Sequence, residues 1–231
     1  MPTYRHVFFD LDHTLWDFAR NSEETLRELH AELQMDALGA GPVDQFLAKY
    51  YHHNHFCWSQ YRQGKMTKEE VRVERFIYAL NDFGYTKKDL AYTLADEYLA
   101  RSPHKPHLLP YAREILDYLQ AKYVLHLITN GFEEVQYTKL KASGLGTYFQ
   151  QVITSERAGA LKPHKQIFEF ALTESKAAAQ ESVYIGDNLE ADIIGARNAG
   201  WDQVYFNPAA TPHEEEMTHE IHSLEELRTF L

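Results

Sequence analysis

The chain has 231 residues, of which 44% are apolar and 25% charged, and its formal net charge is −11. This composition is ordinary for a globular protein that buries a core, and the negative charge argues against a face that contacts nucleic-acid phosphates. Cys57 is the only cysteine, which excludes an intramolecular disulfide and a cysteine-ligated zinc site. No apolar run reaches the length of a membrane span, and the N-terminal residues lack the charged and apolar leader of a secreted protein, so we expect a cytoplasmic location without a membrane partner.

Short apolar segments in the first ten residues and in the second half of the chain predict buried strands. Near-continuous apolar runs of this length are typical of parallel strands that are covered on both faces. In chain order, these segments are residues 7–9, 123–128, 151–153, 182–185 and 204–206. Apolar residues spaced for helices lie between them, at 111–121, 132–143, 164–174 and 188–199. The alternation predicts an α/β fold with a doubly wound, Rossmann-like parallel sheet.

The stretch at residues 16–106 breaks this alternation, because it contains several helix starts and no convincing strand. Thr67 and Glu70, for example, have the spacing of a capping box that opens a helix. We therefore predict an inserted α-helical cap domain over residues 16–106. The α/β core would then consist of residues 1–15 and 107–231.

Polar clusters adjoin the predicted strands at positions where a parallel sheet brings its carboxyl ends to one edge. Ligands of open α/β sheets bind in the crevice beyond that edge, so folding is expected to bring these clusters together. The clusters are Asp10 with Asp12 after the first strand, Thr129 with Asn130 after the second, Lys162 before the helix at 164–174, and Asp187 after the strand at 182–185.

The residue types in these clusters predict a site for a phosphoryl group. The carboxylates of Asp10, Asp12 and Asp187 would repel one another and need a cation, and oxygen-only ligands select a hard ion such as Mg²⁺. Thr129 precedes a helix whose free N–H groups favour an anion, and Lys162 adds a positive charge. An aspartate in such a site can act as a nucleophile.

Other polar and aromatic residues have supporting or structural interpretations. Asp192 lies in the first turn of the helix after Asp187 and, because helical side chains lean toward the N-terminus, is expected to point back at the metal or at Lys162 in a supporting role. Asn188 either caps that helix or belongs to the site. His126, inside a predicted strand, is interpreted as a hydrogen-bonded core residue. Trp58 and Tyr61 either pack between cap helices or stack on a substrate base.

Taken in chain order, the clusters resemble the four motifs of the haloacid dehalogenase superfamily of phosphohydrolases. The matching stretches are DLDHT at 10–14, ITN at 128–130, LKP at 161–163 and GDNLEAD at 186–192. Each motif is weak alone, but the combination of residue types, spacing and order is specific. His13 departs from the pattern, since many members carry glycine there, which makes the loop less permissive in its backbone angles.

The resemblance implies a role for each matched residue. Asp10 corresponds to the nucleophile that forms an aspartyl-phosphate, and Asp12 to the acid that protonates the leaving oxygen and then activates water. An acid at Asp12 favours phosphoryl chemistry over dehalogenation, because a departing halide needs no proton. The residues implied to bind phosphate are Thr129, Asn130 and Lys162. Those implied to hold Mg²⁺ are Asp10, the backbone carbonyl of Asp12, and Asp187, with Asp192 behind them.

The inserted helical segment resembles the cap of a subfamily that includes phosphoglycolate phosphatase, β-phosphoglucomutase and several nucleotidases. Residues 54–67 (NHFCWSQYRQGKMT), together with DLDHTLWDF at 10–18, are similar to pyrimidine 5′-nucleotidases that act on noncanonical nucleoside monophosphates. The resemblance therefore implies a Mg²⁺-dependent phosphatase of a small phosphomonoester, in particular a pyrimidine nucleoside 5′-monophosphate.

Other functions remain open at this point. The core motifs are shared by sugar-phosphate and phosphoglycolate phosphatases and by phosphomutases, which return the phosphoryl group to a sugar. A receiver-like signalling module also carries a phosphoaspartate on a doubly wound sheet, although a proton-transferring Asp12 and a large cap have no use there. The sequence does not specify an oligomeric state.

Overall fold

The structure is a computed structural model that describes residues 4–231, so the first three residues of the predicted core lie outside the described part. Contacts within the chain divide it into two compact units. One unit runs to Phe18 and resumes with Pro106–Leu231, and the other is Ala19–Lys105. The role of the second unit as a cap stays a prediction.

The described residues of the first unit form a six-stranded parallel sheet. In chain order, the strands are β1 (His6–Phe9), β2 (Val124–Thr129), β3 (Gln151–Thr154), β4 (Ser182–Gly186), β5 (Asp202–Phe206) and β6 (His219–Ile221). Their order across the sheet is β3-β2-β1-β4-β5-β6, so β1 lies between β2 and β4. The predicted α/β fold with a parallel sheet is confirmed. The edge strand β6 was not predicted, because it is three residues long and only Ile221 in it is buried.

Helices flank the sheet and form the second unit. Those that begin before residue 106 are α1 (Phe18–Glu32), α2 (Val43–Arg62), α3 (Lys68–Asn81) and α4 (Asp89–Arg101). Those that follow are α5 (Ala112–Gln120), α6 (Glu133–Ser143), α7 (Ser155–Ala158), α8 (Lys165–Ser175) and α9 (Gly195–Asn198). Short 3₁₀ segments lie at Ser102–His104, Ala179–Glu181 and Leu224–Thr229. No helix in residues 4–231 is both long and apolar enough to span a membrane.

The prediction of one α-helix over residues 188–199 was wrong in its detail. The segment Leu189–Ile194 is a π-helix, and only Gly195–Asn198 continues as an α-helix. The backbone N–H of Ile193 reaches the carbonyl oxygen of Asn188 at 3.3 Å, five residues back. Apolar spacing does not distinguish such a widened turn from an α-helix, and single π-turns occur often at functional sites.

The central strand shows why the sheet is buried on both faces. Val7 and Phe9 belong to one apolar cluster and Phe8 to another, and all three side chains are fully buried. Successive side chains of a strand point to opposite faces, so a continuous apolar run is required where both faces are covered. Polar residues of a ligand site must therefore follow the end of this strand.

The second unit is built from helices with their own apolar cluster. The capping box predicted at Thr67 is confirmed, since its hydroxyl accepts from the backbone N–H of Glu70 at 3.2 Å and its own N–H donates to the Glu70 carboxylate at 2.7 Å. The Trp58 and Tyr61 rings meet edge to face with centroids 5.6 Å apart. Packing between these two aromatic residues is therefore present, and a role in base stacking stays a prediction.

His126 of β2 is a hydrogen-bonded core residue, as predicted. Its ring stacks on Phe8 at a centroid distance of 4.5 Å, and its Nε2 lies 3.0 Å from Nδ1 of His6. Burial, together with the neighbouring His6, lowers the pKa of His126 to about 4. The folded protein therefore holds this imidazole neutral at a pH where the unfolded chain binds a proton.

We expect His126→Gln to reduce the loss of stability on acidification. Because the folded pKa lies below the unfolded value of 6.5, the unfolded chain binds more protons between these limits, and stability falls as pH decreases through them. Between about pH 7.5 and about pH 5, this residue should account for about 2 kcal/mol of the decline in the free energy of unfolding. Urea unfolding of both proteins at the two pH values measures it. Equal declines would contradict the prediction.

Candidate active site

The carboxyl ends of the central strands meet where the strand order reverses. Asp10 follows β1 and Asp187 follows β4, which are paired neighbours in the sheet. Ligand sites of doubly wound sheets lie in this crevice. Carboxylate oxygens of Asp10, Asp187 and Asp192 all lie within 4.8 Å of one another. The structure thus brings together three acids from two separate segments of the chain.

Lys162 is the buried cation of this cluster, with 2% of its surface exposed. Its Nζ lies 2.6 Å from Oδ1 of Asp10 and 2.6 Å from Oδ1 of Asp192. The Tyr184 hydroxyl, at 2.7 Å, and the carbonyl oxygen of Ile128, at 3.1 Å, complete its surroundings. Burial lowers the pKa of Lys162, but the charges of the two aspartates outweigh burial and raise the pKa well above its ordinary value. The ammonium group is therefore charged.

The negative charge of the three carboxylates nevertheless exceeds the single positive charge of Lys162. Burial, reinforced by the charge of Asp192 and opposed by that of Lys162, raises the pKa of Asp10 to about 7. Burial and the charges of Asp10 and Asp192 raise the pKa of Asp187 well above its ordinary range. An additional cation would offset this repulsion, and an all-oxygen donor set suits Mg²⁺. The residues present fit the metal that the sequence predicts.

Asn130 positions Lys162 through its backbone. Its Oδ1 accepts from the Lys162 N–H at 2.8 Å, and its Nδ2 donates to the Lys162 carbonyl oxygen at 2.9 Å. Both ends of the amide are thus engaged, and the peptide bond between Lys162 and Pro163 is cis. Thr129 is buried, and its Oγ1 accepts from the N–H of Gly131 at 3.1 Å. The side chain of Asn130 thus holds the lysine, and phosphate binding at position 130 stays a prediction.

Asp192 points back at Lys162, as expected from its place in the first turn after Asp187. Its second oxygen, Oδ2, accepts from the N–H of Asn188 at 2.9 Å. Asn188 caps the same turn, with its Oδ1 accepting from Ala191 at 2.8 Å. A Cβ atom at Gly186 would lie 2.4 Å from Oδ2 of Asp192, so only glycine allows this close approach.

Asp12 has different partners, which the sequence analysis missed. Lys139 Nζ lies 2.6 Å from its Oδ1, and Gln136 Nε2 lies 2.9 Å from its Oδ2. Burial raises the pKa of Asp12, but the charge of Lys139 and the hydrogen bonds of both residues outweigh burial and hold the pKa below its ordinary value. The sequence does carry one signal for such partners. The helix after Thr129 contains a glutamine and a lysine three residues apart, a spacing that places both on one face of the helix.

The loop after Asp12 shows the consequence of His13. This residue has φ of 65°, in the left-handed region that glycine adopts freely. A side chain there costs on the order of 1 kcal/mol. The His13 ring packs against Phe18 with centroids 4.7 Å apart, and the next residue, Thr14, donates to Asp187 Oδ1 at 3.1 Å.

A doubly wound sheet with a cluster of charged residues at the reversal of strand order has the arrangement of a ligand-binding α/β protein. The sequence matches the haloacid dehalogenase-like hydrolases over residues 4–200, and the chain belongs to that family. It is therefore an enzyme, a hydrolase of this family.

Relatives match along nearly the whole chain. YfnB of Bacillus subtilis, which carries the name of a HAD-hydrolase, is 32% identical over 98% of this chain and 95% of its own. The solved YfnB structure, described as bound to magnesium, covers 98% of both chains with a TM-score of 0.88. The pyrimidine 5′-nucleotidase PynA of Streptococcus pneumoniae is 32% identical over 97% of this chain and 93% of its own. YjjG of Escherichia coli, also a pyrimidine 5′-nucleotidase, is 28% identical over 97% and 96%.

We expect Lys162→Met to destabilise the protein by about 3–5 kcal/mol, because it leaves buried carboxylates without their cation. The matched control is Lys165→Met, which removes an exposed lysine paired with Glu169 at 2.8 Å. That change should cost less than about 0.5 kcal/mol. Urea unfolding in the presence of a chelator measures both. Similar losses for the two variants would contradict the prediction.

Proposed function

We propose that the protein is a Mg²⁺-dependent phosphatase that hydrolyses a pyrimidine nucleoside 5′-monophosphate through an aspartyl-phosphate on Asp10. The observation that carries this proposal is that Lys162 fixes the carboxylate of Asp10 at the point where the strand order of the sheet reverses. Lys162 engages its Oδ1, while Oδ2 accepts no hydrogen bond from residues 4–231. One oxygen is thus fixed and the other is left to attack phosphorus.

The chain's own residues account for the first half of the reaction. Oδ2 of Asp10 forms a bond to phosphorus as the bond from phosphorus to the ester oxygen breaks. Asp12, which is ionised in the free protein, takes up a proton when the negative charge of the bound substrate favours its neutral form, and gives that proton to the leaving oxygen. Lys162 and Thr129 bind the phosphoryl oxygens, while Asn130 acts indirectly by holding Lys162. Preorganised positive charge at these oxygens is needed, because phosphate monoesters are among the slowest esters to hydrolyse uncatalysed.

The second half regenerates the enzyme. Asp12, now ionised, accepts a proton from water, whose oxygen attacks phosphorus and breaks the bond to Asp10. Asp10, Asp187 and the backbone carbonyl of Asp12 would hold Mg²⁺. When bound, the ion supplies charge neutralisation for the carboxylates and for the transferred phosphoryl group. Asp192 supports the site by holding Lys162.

The proposed substrate rests on the relatives. PynA and YjjG match this chain almost end to end, including Ala19–Lys105, and both are named as pyrimidine 5′-nucleotidases. The core motifs lie outside Ala19–Lys105, so we assign the choice of leaving group to that unit. The receiver-like alternative is set aside, because the chain belongs to a hydrolase family. Phosphomutase activity and other phosphomonoesters are outcomes of the tests below.

We expect Asp10→Asn to lower phosphate release by at least about 1,000-fold, since an amide does not form the acyl-phosphate. A colorimetric phosphate assay with Mg²⁺ measures turnover, and EDTA should abolish the wild-type activity until Mg²⁺ is restored. The control is Asp36→Asn, an exposed aspartate outside the cluster, which should leave the rate unchanged. Retained turnover in Asp10→Asn would refute the role of Asp10 as the nucleophile, and activity in EDTA would refute the requirement for Mg²⁺.

A panel of phosphomonoesters tests the substrate. We expect kcat/KM to be highest for pyrimidine nucleoside 5′-monophosphates and lower for purine nucleotides, phosphoglycolate and sugar phosphates, because binding energy remote from the phosphate raises kcat/KM only for the fitting leaving group. Phosphate release measures the panel. A preference for a sugar phosphate would refute the nucleotidase, and an isomerised sugar phosphate without free phosphate would identify a mutase.

A further inference from the structure

Two buried polar side chains of α6 converge on the carboxylate of Asp12. Lys139 is 5% exposed and Gln136 is 1% exposed. They contact different oxygens, at 2.6 Å for Lys139 and 2.9 Å for Gln136. Burying a charge or an amide is unfavourable unless it is paired. The contacts with Asp12 therefore explain how one helix face can carry both groups in the interior.

Lys139 is also fixed on its other side. Its Nζ lies 4.4 Å from the centroid of the Trp16 ring and 5.8 Å from that of Phe18. An ammonium over an aromatic face is attracted to it, and the attraction strengthens where water is excluded. Trp16 is fully buried. The ammonium thus has a defined position between an aromatic surface and Oδ1 of Asp12.

Gln136 is held in one orientation by its surroundings. Its Nε2 occupies the place where a Cβ atom at Gly131 would stand, only 1.5 Å away, so residue 131 must be glycine for the amide to fit. Its buried Oε1 has no hydrogen-bond partner among the described residues. A buried acceptor without a partner costs on the order of 1–3 kcal/mol. Turning the amide would point this oxygen at the carboxylate of Asp12, so the acid itself selects the donating orientation.

We propose that Lys139 and Gln136 are positioning residues that orient Asp12 for proton transfer to the leaving oxygen. The inference rests on the proposed function, in which Asp12 is the acid and then the base. Neither residue gains or loses a proton or forms a bond to substrate. Their contribution is that two fixed donors, each on one oxygen, remove the rotational freedom of the carboxylate.

The test compares two classes of leaving group. An alkyl phosphate, for which we use the nucleoside or sugar monophosphate that the wild type turns over fastest, needs a proton on its leaving oxygen. The nitrophenolate of p-nitrophenyl phosphate departs without one. We expect Lys139→Met to lower kcat/KM for the alkyl ester by about 100-fold and that for the aryl ester by less than about threefold. The quantity compared between variants is the ratio of kcat/KM for the alkyl ester to kcat/KM for the aryl ester. Gln136→Met should lower this ratio by about tenfold, since one neutral donor is lost.

Four further variants complete the test. Lys139→Arg keeps a charged donor and should recover most of the ratio. Lys141→Met, an exposed lysine on the same helix, should leave it unchanged. In Asp12→Asn the ratio falls, and adding Lys139→Met to that variant should lower it no further, because a residue that acts through Asp12 has no effect without it. Circular dichroism confirms that each variant is folded.

The outcomes distinguish failure of Asp12 as the proposed acid from failure of the positioning role of Lys139 and Gln136. If Asp12→Asn leaves the ratio unchanged, the proposed acid is wrong. If Asp12→Asn lowers the ratio but Lys139→Met and Gln136→Met lower both esters equally, Asp12 is the acid and the positioning role is overturned in favour of a structural one. If Lys139→Met does not fold, the ratio for Gln136→Met decides alone.

Discussion

The active-site region depends on one buried ammonium group. Lys162 ties Asp10, which follows the central strand, to Asp192, which lies in the π-helix after β4. Asn130, at the end of β2, fixes the backbone of the same lysine. Three segments that are far apart in sequence therefore meet at a single charge. Gly186 serves this contact, because a Cβ atom there would collide with the Asp192 carboxylate.

The two acids of the first motif are one residue apart and yet chemically distinct. Asp10 faces other carboxylates as well as Lys162, and its pKa is raised to about 7. Asp12 faces Lys139 and Gln136, and its pKa is lowered. The two carboxyl groups thus meet opposite electrostatic environments, since burial among other carboxylates raises the pKa of Asp10 while a lysine and an amide lower that of Asp12. In this fold, each acid has its own lysine.

The sequence predicts well which polar residues lie together at the edge of the sheet, because most of them follow strands. A strand end is visible as an apolar run followed by polar residues, and parallel strands bring their ends to one edge. Asp10, Thr129 and Asp187 are found by this argument alone. Lys162 and Asp192 are found from their places at helix starts. At Asn130 the structure adds a contact that the sequence does not show, because the side-chain amide holds the backbone of Lys162.

The sequence by itself determined the parallel α/β sheet, the family and the residues at the strand ends, since each is encoded in local pattern and order. Only the tertiary structure decided the partners of Asp12, the π-turn around Asp192 and the histidine pair at His6 and His126. Lys139 on α6 looks like any surface lysine until the packing of that helix against Trp16 is known. Side chains acquire such roles from neighbours more than a hundred residues away, and apolar periodicity carries no information about those neighbours.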